Sequence, residues 1–196
     1  AALHNDTIVK TEGFCTDVFF QAALGWIKKQ HQAKTPFFAY ISTNAPHGPM
    51  IAPEKYKKRF ADLGWDAKTQ GRYGMIENID DNVGRLRAWL AETGRADDTM
   101  IIVMSDHGMP FPGAKASSFD SGHHCPLLIS LPGAPEVECD AVVNWSSIAP
   151  TVFDWCGVEA PEGLPALDSL VNPALDLSDL DDLSTTQQLL AEYGLI

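Results

Sequence analysis

No lysine or arginine follows Lys115 in this 196-residue chain. All 14 basic residues lie at or before it, with 13 of the 26 acidic ones, so residues 1–115 sum to +1 and residues 116–196 to −13. A net charge of −12 speaks against nucleic acid as a partner, because phosphate contacts need clustered Lys and Arg. Long apolar runs are missing too. None approaches the ~18–20 residues of a spanning helix, so no membrane span is expected. Cysteine is sparse: Cys15, Cys125, Cys139 and Cys156 form no C-x-x-C pair, which excludes a zinc knuckle or a dithiol redox motif. Isolated thiols such as Cys156, beside Trp155, are expected as small buried hydrophobes, with disulfides only in an exported chain. Ala1-Ala2-Leu3-His4 shows neither an initiator Met nor a signal-peptide pattern, as expected of a processed chain or one beginning within a longer protein.

What is present can build a core: 45% of residues are hydrophobic and 20% charged. Asp17 is placed to cap a helix running to about His31, with Val18, Phe19, Ala22, Ala23, Trp26 and Ile27 as its apolar stripe. Phe37-Phe38-Ala39-Tyr40-Ile41 reads as a buried strand, and residues 44–72 as loop with a basic patch at Lys55, Lys57, Lys58 and Arg59. Met75, Ile76, Ile79, Val83, Leu86 and Leu90 recur at helical spacing from Tyr73 to Thr93, with Gly94 as the stop. Further strands are expected at Met100–Met104, Pro126–Leu131 and 141–144, and a helix from Ser147 to Cys156 ending at Gly157. Helices between short apolar strands predict an α/β fold with a mostly parallel sheet flanked by helices. Residues 1–160 are expected as this domain. Residues 161–196 are expected as an irregular acidic tail, with one weak helix around Leu189, Leu190 and Tyr193.

In such sheets ligands bind beyond the carboxyl ends of the strands. Two strand ends are rich in polar groups: Asn44-Ala45-Pro46-His47-Gly48-Pro49 and Ser105-Asp106-His107-Gly108. Asp106 and His107 offer an oxygen and a nitrogen donor suited to a divalent cation, although such a tripeptide also caps turns. Lys115 lies in the next loop, placed either to offset an anionic group or simply to be solvated. His123-His124 lead into the strand at 126–131.

The order of these motifs resembles the sulfatase family, within the alkaline-phosphatase-like superfamily. Pro36–Tyr40 with Asn44–Pro49 resembles its strand and histidine loop, and Tyr73–Leu86 its signature helix. Ser105–Gly108 resembles its metal-binding strand end, Lys115 and Asp120–Leu127 its lysine loop and next strand, and Ile148–Val158 a late helix. The likeness spans about residues 13–160, and Pro110-Phe111-Pro112 leans toward sulfamidase-like members.

The resemblance implies metal-dependent hydrolysis of sulfate esters or N-sulfates, with a small-molecule or saccharide sulfate as substrate. It implies Asp106 and His107 as metal ligands, and Lys115 on a sulfate oxygen. His47 would bind the ester or protonate the leaving group, and His123 and His124 are further substrate-binding candidates. Calcium is the expected metal. His107 stands where many members carry Asn, as in phosphatase and phosphonate-hydrolase relatives, so manganese, zinc or magnesium also suits the pair. A formylglycine nucleophile made from Cys or Ser is expected in the family, but none of the four cysteines opens a C/S-x-P/A-x-R motif here, Ser130-Leu131-Pro132-Gly133-Ala134 has the Pro without the Arg, and the paired N-terminal aspartates have no counterpart. The expectation is therefore an incomplete α/β domain, inactive alone and self-associating through an open sheet edge. Phosphodiester or phosphonate hydrolysis is the alternative chemistry, and a non-catalytic interaction module the alternative class. Bacterial members are expected to be periplasmic or secreted.

Overall fold

The computed structural model describes residues 2–139 and 143–161, in two compact units that meet in the chain between Thr99 and Met100. The first opens with a hairpin that the sequence reading did not anticipate. Strands β1 (Ala2–His4) and β2 (Thr7–Val9) pair antiparallel around Asn5 and Asp6, whose φ values of 47° and 62° suit a two-residue turn of the right twist.

Helix α1 (Cys15–Ala33) and helix α3 (Ala67–Glu92) are the long elements of this unit, with the short α2 (Glu54–Lys57) and a 3-10 turn (Lys58–Leu63) between them. Asp17 lies in the first turn of α1 and does not cap it; Phe14 holds the cap position without a side-chain bond. Helix α3 begins earlier than periodicity predicts, because Asp66 accepts from Lys68 N at 2.8 Å and Thr69 N at 3.0 Å. So residues 44–72 are not all loop. At the far end Gly94, with φ 67°, supplies the expected stop.

Ile27 on α1 and Leu90 on α3 are fully buried, each worth roughly 1.5–3 kcal/mol as removed apolar surface. The buried side of α3 follows the predicted apolar stripe only in part: Met75 and Leu90 are buried, but Ile76 is exposed and Asn78 and Asn82 are buried in addition. His31 meets Trp89 edge-on at 5.6 Å. Gly71 packs against Met50, where an added Cβ would overlap the Met50 carbonyl.

The expected strand at 37–41 does not form among the described residues. Phe37, Ala39 and Ile41 are half-buried and alternate with exposed Phe38 and Tyr40, so the backbone has strand periodicity without a paired neighbour. Side chains can favour extension, but a strand also needs a hydrogen-bonding partner. Phe37 instead meets Trp26 of α1 edge-on at 6.5 Å.

In the second unit β3 (Ile101–Met104) and β4 (Leu127–Ser130) pair antiparallel, with Ile101 opposite Ser130 and Met104 opposite Leu127. Helices and strands mix as predicted, but both strand pairs among the described residues are antiparallel, not parallel. The cause is the connection. Between β3 and β4 the chain makes turns and one short helix, α4 (Asp120–His123), with no crossover helix to bring it back in the same direction. Helix α5 (Ile148–Cys156) closes at Gly157, as predicted, after a turn in which Asn144 accepts from Ser146 N at 3.0 Å. All four cysteines are free, and Cys156 is exposed at the end of α5, not buried. The strand expected at 141–144 falls partly outside the described residues, and so does the acidic tail at 161–196 except for its first residue, including the weak helix expected around Leu189, Leu190 and Tyr193. No helix of the described residues is long and apolar enough to cross a membrane.

Candidate functional site

Of the six predicted residues, His47 belongs to the first unit, and Asp106, His107, Lys115, His123 and His124 to the second. The His47 loop is anchored at both ends. Ala45 and Ala52 are buried against Met75 of α3, with Phe14, Met50 and Ile79 around them. Thr43 Oγ1 donates to Ala45 O at 2.9 Å, and His47 N–H to Asn44 O at 2.9 Å. Between those anchors His47 is exposed. Its Nδ1 lies 3.0 Å from Gly48 O. A carbonyl only accepts, so this contact assigns the proton to Nδ1 and leaves Nε2 as the outward atom.

His107 repeats the device. Its Nδ1 lies 2.9 Å from Gly108 O, and its Nε2 faces Asp106 Oδ2 at 3.3 Å. Each histidine thus uses the carbonyl of the glycine that follows it to orient its ring. Two donor atoms 3.3 Å apart suit one cation, since metal bonds of about 2.0–2.4 Å set neighbouring ligands about 3 Å apart. Number is where the fit fails. Among the described residues no group of three or more His, Cys, Asp or Glu is placed to hold a metal, whereas calcium takes about six to eight oxygens. Asp106 and His107 begin a donor set and do not complete one.

Three backbone bonds organise the loop around them. Ser105 N–H donates to Pro126 O at 3.3 Å, Gly108 N–H to Gly122 O at 2.9 Å, and Lys115 N–H to Met109 O at 3.0 Å. The Asp106-His107 strand end, the Lys115 loop and α4 are therefore tied together, with Gly122 packed 2.7 Å from Ala114 O if it carried a Cβ. Ser121 Oγ adds a bond to Gly113 O at 2.6 Å. Lys115 itself is exposed. His123 follows Gly122 directly and is exposed, and Nδ1 of His124, the residue after α4, lies 3.3 Å from Asp120 Oδ2 at the start of that helix. Burial, with the Asp106 charge adding to it, pushes the Cys125 thiol above its ordinary value, so it is poorly suited to act as a thiolate.

One cluster was missed from sequence. Asp17 Oδ1 accepts from Asn78 Nδ2 at 2.9 Å, Asn82 Nδ2 at 2.9 Å and Arg85 Nη2 at 3.0 Å, joining α1 to α3. Its signal was two asparagines four apart on a helix face otherwise set for apolar residues.

Known proteins carry the same pattern. The chain is 27% identical over 169 residues to the uncharacterized sulfatase YdeN of Escherichia coli K12, covering 80% of this chain and 30% of YdeN. It is 30% identical over 136 residues to N-acetylgalactosamine-6-sulfatase of Rattus norvegicus, covering 62% of this chain and 24% of that enzyme. The chain thus spans less than a third of the length of these relatives. The crystal structure of Ps i-CgsB, also solved in complex with k-i-k-neocarrahexaose, superposes with a TM-score of 0.76 at 27% identity, over 85% of this chain and 39% of that one. This likeness bears out the alkaline-phosphatase-like fold class expected from the motifs. A sequence model described as Sulfatase matches residues 4–158, from the first hairpin past the end of α5, and on that span the chain belongs to the sulfatase family.

Proposed function

We propose that this chain supplies the anion-holding and leaving-group contacts of a sulfatase that hydrolyses sulfate monoesters or N-sulfates of saccharides. The observation carrying the proposal is a pair of backbone bonds, Gly108 N–H to Gly122 O and Lys115 N–H to Met109 O, which tie the segment following Asp106-His107 to α4 and to the Lys115 loop. Saccharide substrates are suggested by the name of the rat relative and by the oligosaccharide in the Ps i-CgsB complex.

In this reading the Lys115 ammonium offsets charge on the sulfuryl oxygens as sulfur is attacked. In the imidazolium form, protonated on both ring nitrogens, His47 delivers its Nε2 proton to the departing oxygen or nitrogen and is left neutral with its other proton on Nδ1 against Gly48 O. Asp106 and His107 would hold a divalent cation, calcium or a metal more tolerant of imidazole, only together with ligands beyond these two, and a bound cation would supply further charge stabilisation. His123, the last residue of α4, and His124, which follows it, contact the remainder of the substrate. The formylglycine motif is the part this sequence does not contain, since no Cys or Ser is followed by x-P/A-x-R. Hydrolysis is therefore proposed for the whole enzyme and not for these 196 residues alone.

His107 favours a second reading, hydrolysis of a phosphodiester or phosphonate in the same cradle. The full-length protein, assayed on matched aryl sulfate, phosphate and phosphonate esters, decides between them. Faster sulfate turnover that is lost in Lys115→Ala is the expected result. Faster phosphate or phosphonate turnover would transfer the site to the second reading, and no turnover of any ester would leave an interaction module.

A further inference from the structure

Residues 54–73 carry six basic side chains against three acidic ones, in a chain whose net charge is −12. Three of these cations are engaged: Lys55 with Asp81 at 3.8 Å, Lys57 with Glu54 at 2.6 Å and Arg59 with Glu77 at 2.8 Å. Arg72 is buried. Lys58, on the 3-10 turn, and Lys68, in the first turn of α3, are exposed and make no ion pair among the described residues.

An aromatic cluster lies on the same elements. Trp65 stacks on Phe60 with centroids 5.8 Å apart and 14° between planes, and Tyr73 lies 4.7 Å from Trp65 and 5.7 Å from Phe60. Trp65 remains 37% exposed. The backbone beneath it is fixed: Gly64 turns the chain at φ 69°, and Gln70 Nε2 donates to Trp65 O at 2.7 Å. Asp66 then accepts from Lys68 N–H, so Trp65 and Lys68 flank a single cap residue. Such a surface loses little freedom when it binds. Neither the rings nor the two lysines have a part in the proposed sulfate chemistry.

We propose that Trp65, with Phe60 and Tyr73 behind it, and Lys58 and Lys68 form a docking site for a sulfated polysaccharide. The flat indole takes the C–H face of a pyranose, and the lysines take sulfate groups on the same chain. Charge complementarity favours this occupant, because an acidic protein repels a polyanion except where its cations locally outnumber its carboxylates, as they do over residues 54–73. The rings add a preference that charge alone lacks, for a sugar over other polyanions. The proposal rests on the saccharide-sulfatase reading. Its consequence is retention of the polymer between turnovers, which raises the local concentration of cleavable sulfates.

Retardation of the full-length protein in gels containing chondroitin sulfate, unsulfated chondroitin or polyglutamate tests this. Chondroitin sulfate should retard the wild type strongly and the other two little. Trp65→Ala should weaken the apparent affinity by about tenfold, Trp65→Tyr far less. The exposed pair Lys58→Ala/Lys68→Ala, which leaves the ring cluster in place, should also lose retardation. Turnover of a small aryl sulfate should be unchanged in all variants. Selective binding by a protein that cleaves no sulfate would sink the sulfatase reading and leave the docking site standing. Equal retardation by chondroitin or polyglutamate, or no effect of either the lysine pair or Trp65→Ala in folded protein, overturns the docking site.

Discussion

Gly108 donates its N–H to Gly122 O at 2.9 Å, and a Cβ on Gly108 would overlap the carbonyl of Ser121. Two backbones in direct contact leave no flexible side chain to yield. The strand end carrying Asp106 and His107 therefore keeps its place relative to α4 only while position 108 has no side chain.

Gly108→Ala should accordingly force the two segments apart and destabilise the fold by about 1–3 kcal/mol, the usual range for overpacking. Gly84 provides the contrast. It lies exposed within α3, and a Cβ there would meet nothing within 4 Å. Gly84→Ala should stabilise by about 0.5–1 kcal/mol through helix propensity alone. Urea unfolding of both variants checks the pair; a neutral Gly108→Ala would refute the backbone lock.

Asp17 holds α1 to α3 through one carboxylate oxygen. Asn78 is 0% exposed, so Asp17→Ala leaves a buried amide without its acceptor and weakens Asn82 as well, for about 2–4 kcal/mol. Burial acts to raise the Asp17 carboxyl, but hydrogen bonds from Asn82, Asn78 and Arg85, with the Arg85 charge, hold it below its ordinary 3.8. A lowered folded value means that the ionised carboxylate stabilises the fold above about pH 4, and that this contribution fades as pH falls through the folded value. The stability difference between wild type and Asp17→Asn should therefore shrink on acidification below pH 4. A difference constant from pH 6 to pH 3 would contradict the assignment.

Neither of these two relationships was legible in the sequence, although much of the fold around them was. The long helix, its stop at Gly94, the strands at 101–104 and 127–130 and the close of α5 at Gly157 were legible because each depends on local spacing or a single turn residue. The direction of β4 was not, because pairing depends on the path of the 22-residue connection before it. Nor could spacing show that Phe37–Ile41 lacks a partner. The candidate site divides likewise. Asp106, His107 and His47 were visible as polar residues after apolar runs, whereas the Gly108–Gly122 contact and the convergence of Asn78 and Asn82 on Asp17 arise only in three dimensions.

Asp106 and His107 predict weak metal binding by this chain. Two donors 3.3 Å apart can share a cation, but no third His, Cys, Asp or Glu joins them among the described residues. Calorimetric titration of the 196-residue chain with Ca²⁺ or Mn²⁺ should show affinity no tighter than about millimolar, abolished in Asp106→Ala. Tight stoichiometric binding would mean that further ligands are recruited and that the pair is not the limit of the site.

His47 can act on the leaving group or on the sulfate itself, and leaving-group chemistry separates the two. An aryl sulfate with an acidic phenol departs without a proton, whereas a sugar alcohol needs one before the bond to sulfur breaks. If Nε2 of His47 delivers that proton, His47→Ala in the full-length enzyme should cost about 10²–10⁴-fold in kcat/KM on a saccharide sulfate. On a nitrophenyl sulfate it should cost less than about tenfold, so the dependence of rate on leaving-group pKa steepens in the variant. Gly48 enters the same argument. Its carbonyl accepts a hydrogen bond from Nδ1–H, with Nδ1 3.0 Å from the oxygen, which keeps Nε2 as the working nitrogen. A uniform loss across the whole ester series would instead assign His47 to sulfate binding, since a contact to the sulfuryl oxygens is indifferent to which alcohol departs.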